Sequence, residues 1–126
     1  MIIIGHPWVE SLCFAQITSE EEIQKTQANQ MVLLEPLAFS HTLALYCKAE
    51  HVPFSLKVES IHDALFANAL GARYIVCTEA DAKMIQPIAQ EYLFDTRILA
   101  QIEDEKKIST LAKIGIDGVI FRKGIC

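Results

Sequence analysis

Apolar residues in this chain fall into short runs separated by segments in which they recur at helical spacing. The clearest run, Tyr74-Ile75-Val76-Cys77, follows Gly71-Ala72-Arg73, and the same phrase returns as Gly115-Ile116-Asp117-Gly118-Val119-Ile120-Phe121. In each copy a glycine suited to the left-handed end of a helix precedes a buried strand. Further strands are predicted at Met1–Ile4, Ser11–Ile17, Met31–Leu34, Phe54–Val58 and Thr96–Gln101. Between them, Phe39, Leu43, Tyr46 and Cys47 mark one helix, and Ala82, Ile85, Ala89 and Tyr92 mark another, with Pro87 expected to kink or split it. Ser19 with Glu22, Ser60 with Asp63 and Thr78 with Asp81 read as capping boxes that open helices. A last helix carries Ile108, Leu111 and Ala112.

This βα alternation predicts one α/β domain over residues 1–126, a three-layer sandwich with helices on both faces of a mostly parallel sheet. Its units are flavodoxin-like or half-barrel-like βα repeats. The exception is the N-terminus. The short link through Gly5-His6-Pro7 permits a hairpin rather than a parallel crossover, so Met1–Ile4 is expected to run antiparallel to its neighbour.

The chain is 52% hydrophobic with a mean hydropathy of +0.26, high for a domain of this size. Parallel strands covered by helices account for part of this excess. The remainder predicts an apolar surface covered in a homo-oligomer, a dimer by preference, with Trp8, Phe14 and Phe94 as contact candidates. No apolar stretch approaches the roughly 20 residues of a membrane helix. Met1-Ile2-Ile3-Ile4-Gly5 lacks the basic lead and length of a signal sequence, which leads us to expect a cytoplasmic protein. A formal charge of −5 with scattered basic residues argues against nucleic acid. The four cysteines show no C-x-x-C spacing, so Cys13, Cys47 and Cys77 are expected to be reduced core residues and Cys126 an exposed thiol without a role.

The phrases Gly71-Ala72-Arg73-Tyr74-Ile75 and Gly115-Ile116-Asp117-Gly118-Val119-Ile120 resemble βα joints of phosphate-binding (β/α)8 barrels, over about residues 54–121. The resemblance implies barrel-like βα units and points to no single family. Ala100-Gln101-Ile102-Glu103-Asp104 resembles the metal-ligand strand of pyruvate-kinase-like aldolase barrels, although the second metal aspartate of that family is absent, Phe121 being followed by Arg122.

Dinucleotide and P-loop glycine motifs and a nucleophile elbow are all missing. The chemistry that remains is a set of acids after the predicted strands: Glu20, Glu35, Glu59, Glu79 and Glu103. Ligands collect at the carboxyl ends of strands in such folds, so Glu35, Glu59, Glu79 and Glu103, with His41 near Glu35, form a candidate ligand or metal rim. Mg2+ or Mn2+ would suit its oxygen ligands. The simpler reading is that helix starts favour glutamate by about 0.3–1 kcal/mol. On balance the sequence points to a small non-catalytic module that self-associates and binds a small ligand or a protein partner. The alternatives are a metal-dependent, lyase-like or aldolase-like enzyme and a phospho-ligand binder.

Overall fold

A computed structural model describes residues 1–126. The elements are β1 (Ile2–Ile4), β2 (Cys13–Ile17), α1 (Glu20–Gln24), β3 (Gln30–Leu34), α2 (Leu37–Ala49), β4 (Phe54–Lys57), α3 (Ile61–Ala69), β5 (Tyr74–Thr78), α4 (Glu79–Glu91), β6 (Arg97–Ile102), α5 (Lys107–Lys113) and β7 (Gly118–Phe121), with a 3-10 turn over Arg122–Gly124. The three expected caps are present: the Ser19, Ser60 and Thr78 hydroxyls accept from the amides of Glu22, Asp63 and Asp81. Gly71 and Gly115 follow α3 and α5 with φ of +83° and +82°. Pro87 does not split α4. It lies on an exposed face, where the Lys83 carbonyl that its missing amide leaves unpaired can reach water.

All seven strands are parallel, in the order β1-β7-β6-β5-β4-β3-β2. From β2 to β7 each strand pairs with the next in sequence, so the winding never reverses and the half-barrel-like form is adopted rather than the flavodoxin-like order. Right-handed crossovers repeated in one direction carry all the helices to the same, convex side. Buried residues of every helix, among them Ile23, Cys47, Ala64, Ile85 and Leu111, join one cluster with the outward side chains of the strands. A second cluster consists of strand residues alone: Ile4, Phe14, Met31, Leu33, Val76, Leu99 and Ile120. The expectation of helices on both faces is corrected: they cover one face only, and the three successive layers are helices, sheet and this strand-only inner core. The sheet is curled, because the Phe14 and Tyr74 rings, on strands three places apart, approach to 5.4 Å between centroids.

The N-terminal strand differs from the expected hairpin. β1 pairs parallel with β7, Ile3 opposite Val119, and has no ladder with β2. The short return is feasible because β1 has only three residues and the C-terminal segment stands between the two edge strands. Phe14 bridges to Ile125, the Cys126 amide donates to the Phe14 carbonyl at 2.9 Å, and the Gln16 amide donates to the Cys126 carbonyl at 3.2 Å. On the other side Gly5, at φ +85°, lies against Gly124, where a Cβ would come within 2.5 Å of the Gly124 nitrogen. Only glycine allows that approach.

A disulfide between Cys13 and Cys126 fastens this seam, with a Cα–Cα distance of 6.0 Å. The expectation of a reduced Cys13 and an idle Cys126 is therefore corrected. The two residues are 113 positions apart, and only the curl brings them together. Of the expected contact residues, Phe14 is fully buried and Phe94 nearly so, because both pack into the two cores; Trp8 alone is exposed. No helix is long and apolar enough to cross a membrane.

Val76 and Cys77 face opposite cores from the middle of the sheet. Val76→Ala is expected to cost about 1–3 kcal/mol in urea unfolding, through lost burial and a residual cavity. Burial, and then the Asp81 carboxylate, push the Cys77 thiol up to about 12. A maleimide should therefore leave Cys77 unlabelled in the native protein, and rapid labelling would refute this placement.

Candidate functional site

Strand alternation decides what reaches the concave mouth at the carboxyl ends of the strands. In β4, Phe54 and Leu56 join the helix-side core, so Ser55 and Lys57 face inward. By the same parity Gln16 on β2, Thr78 on β5 and Gln101 on β6 face inward above Phe14, Val76 and Leu99. The registers place Lys57 beside Val76, and Thr78 beside Gln101. A polar row therefore stands over the apolar filling of the curl.

Lys57 is the centre of that row. Its ammonium donates to Gln16 Oε1 at 2.6 Å and to Glu35 Oε1 at 2.9 Å. Its side chain is 30% exposed, and that of Glu35 41%. A pair this wet is worth about 0–1 kcal/mol, so stability alone does not explain a lysine on the concave face. An ammonium has three donors, and two are occupied. With Gln16 Oε1 turned to Lys57, the Gln16 amide hydrogens face away from it. One residue deeper, Ser55 is fully buried and its hydroxyl has no hydrogen-bond partner. A buried hydroxyl without a partner is uncommon and calls for an occupant able to satisfy it.

The predicted rim does not assemble around a common point. Glu35 is at the mouth, bound to Lys57. Glu59 and Glu103 are exposed beyond β4 and β6 and have no hydrogen-bond or ion-pair partner. Glu79 opens α4 and pairs with Lys83 at 3.6 Å and Lys107 at 3.5 Å. His41 is exposed on α2 and makes no bond to Glu35, whose carbonyl instead accepts from the Ser40 hydroxyl at 2.6 Å. No three His, Cys, Asp or Glu side chains gather in a geometry that could hold a metal.

His6 follows β1 at the same end of the sheet. Its Nδ1 accepts from the Trp8 amide at 3.1 Å, which leaves Nε2 to donate to Glu105 at 2.7 Å. Both ring nitrogens are engaged, so the pair holds the β1–β2 link rather than offering a free base. The residues that sequence reasoning missed are Gln16, Ser55 and Lys57. Their signal was the polar residue at every second place in Phe54-Ser55-Leu56-Lys57 and the single polar Gln16 within the apolar run Phe14-Ala15-Gln16-Ile17. A groove of about 570 Å3 lies at the opposite end, among Leu12, Gln30, Met31, Pro53 and Arg73. Its charged residues, Glu50 and Arg73, form no ion pair with each other, and we place the site at the mouth because the strand carboxyl ends carry the inward polar groups.

No protein-family model matches this chain, and no curated protein matches it. Solved structures do. One is described as a NadC deletion mutant in a cubic space group, with 15% identity over 88% of this chain and a TM-score of 0.56. The chain spans 48% of the length of that protein. The likeness shows the fold alone, in keeping with the resemblance of residues 54–121 to barrel βα units.

With Glu59 and Glu103 separate and exposed, a Glu59→Gln, Glu103→Gln double variant is expected to stay within about 0.5 kcal/mol of the parent. Millimolar Mg2+ or Mn2+ should shift the melting temperature of both proteins equally. A metal-dependent rise seen only in the parent would restore the rim.

Proposed function

We propose that this chain is a small non-catalytic α/β module that binds a small anionic molecule, a carboxylate or phosphate, at the mouth of the curl. The observation that carries the reading is Lys57, an inward lysine at a strand carboxyl end with two donors held by Gln16 and Glu35 and one to spare. The Gln16 amide and the Thr78 hydroxyl, whose oxygen already accepts from the Asp81 amide, add further donors around it. With the Glu35 carboxylate already paired to Lys57, the groups left free are donors, and free donors favour a ligand made of acceptors. The buried Ser55 hydroxyl supports the same reading, since a ligand oxygen or a water entering beneath Lys57 would satisfy it.

Glu35 neutralises Lys57 and fixes the ammonium, so an anion meets a cation already positioned. Catalysis draws no support from the mouth, where no nucleophile is paired with a base. Self-association remains part of the proposal. Trp8, Phe39 and Leu93, each more than 80% exposed, are separate apolar side chains available to a second copy.

An NMR titration with succinate and with inorganic phosphate tests the site. Shifts are expected at the amides of Gln16, Ser55, Lys57, Thr78 and Gln101 and should weaken as salt is raised. Lys57→Met should weaken binding at least tenfold, equivalent to about 1.4 kcal/mol. Shifts confined to other surfaces, or equal affinity in Lys57→Met, would overturn the proposal.

A further inference from the structure

The seam between β1 and β2 is held by little apart from its disulfide. Beyond Gly124 the chain contributes a half-buried Ile125, the two backbone hydrogen bonds of Cys126 and the bond from Cys126 to Cys13. Cys126 is exposed, and Cys13 opens onto a surface groove of about 440 Å3 that also reaches Gly5 and Gly124. A half-buried Cys13 at a groove and an exposed Cys126 distinguish this bond from a disulfide sealed in a core. The remaining cysteines are no competitors: Cys47 and Cys77 are buried, and burial pushes their thiols up to about 11 and about 12.

We propose that Cys13–Cys126 is a thiol–disulfide exchange site whose reduction by a dithiol opens the seam of the curl while the rest of the sheet stays folded. One thiolate of the dithiol attacks Cys126 Sγ. The bond to Cys13 breaks, and its electron pair leaves on Cys13 Sγ, which then takes a proton. The second sulfur of the dithiol attacks the mixed disulfide and releases Cys126, which is protonated in turn. The protein gains two electrons and two protons, and the dithiol departs as a disulfide. Reduction leaves the Ile125–Cys126 segment with only its two backbone bonds and Ile125. Segments with so few buried contacts open at a small fraction of the global unfolding free energy. The six ladders of the sheet, from β1–β7 to β2–β3, do not depend on the seam and persist.

Dithiothreitol followed by iodoacetamide should label Cys13 and Cys126 and spare Cys47 and Cys77 in the native protein. Amide hydrogen exchange on the same sample is expected to accelerate at least tenfold at Gln16 and Cys126, which donate across the seam. Ile75 and Leu99, in the centre of the sheet, should keep their protection. Re-oxidation with glutathione disulfide should restore the seam. A Cys13→Ser, Cys126→Ser variant should show the open pattern without reductant; if it does not fold, the reversible comparison on the parent decides. Three results overturn the proposal: a bond that resists dithiothreitol in the native state, seam amides that stay protected after complete reduction, or loss of protection throughout the sheet.

Discussion

A parallel sheet wound in one direction carries all of its helices on one side, so its other side has only itself to bury against. Every connection from β2 to β7 is a step to the adjacent strand, and the right-handed rule leaves the concave face without a helical cover. A flat sheet would leave Phe14, Leu33, Leu99 and Ile120 in water, yet all four are fully buried. Each contributes about 1.5–3 kcal/mol by its burial. Curling is how the sheet achieves this, and it brings β2 close enough for Phe14 to meet Tyr74. Gly118 follows from the same constraint, since a Cβ there would strike Ile2 and Leu99 at 2.7 Å.

The curl has consequences at both its seam and its mouth. At the seam the edge strands β1 and β2 come near each other, and the C-terminal segment supplies backbone partners that an edge strand otherwise lacks. At the mouth the inward parity of β2, β4, β5 and β6 converges. Gln16 and Lys57, on strands two places apart, come within 2.6 Å of each other. On a flat sheet their side chains would be separated by β3.

Local features of the fold were legible because local residues cause them. The capping serines and threonine, the helix-ending Gly71 and Gly115 and the apolar run Tyr74–Cys77 act through neighbours within a turn or two. The pairing of β1 with β7 and the Cys13–Cys126 bond join opposite ends of the chain, and nothing near Met1 or Cys126 records the partner. The site was half legible for the same reason. Glutamate after a strand is visible in any βα sequence, but it serves helix starts as readily as ligands, and Glu79 and its lysine partners show the former use. Lys57 stood out only as a charge within an alternating strand. Which face of β4 was concave depended on the winding of the whole sheet.

The curl is the claim on which the inner core, the seam and the mouth all rest, and a nuclear Overhauser measurement between the Phe14 and Tyr74 rings tests it most directly. Flat strands three places apart would hold those side chains roughly 14 Å from each other, beyond the reach of the effect. The account predicts clear cross-peaks between the two rings, alongside those from Ile125 to Phe14. If both rings give cross-peaks to adjacent strands but none to each other, the sheet is open and has no closed inner core.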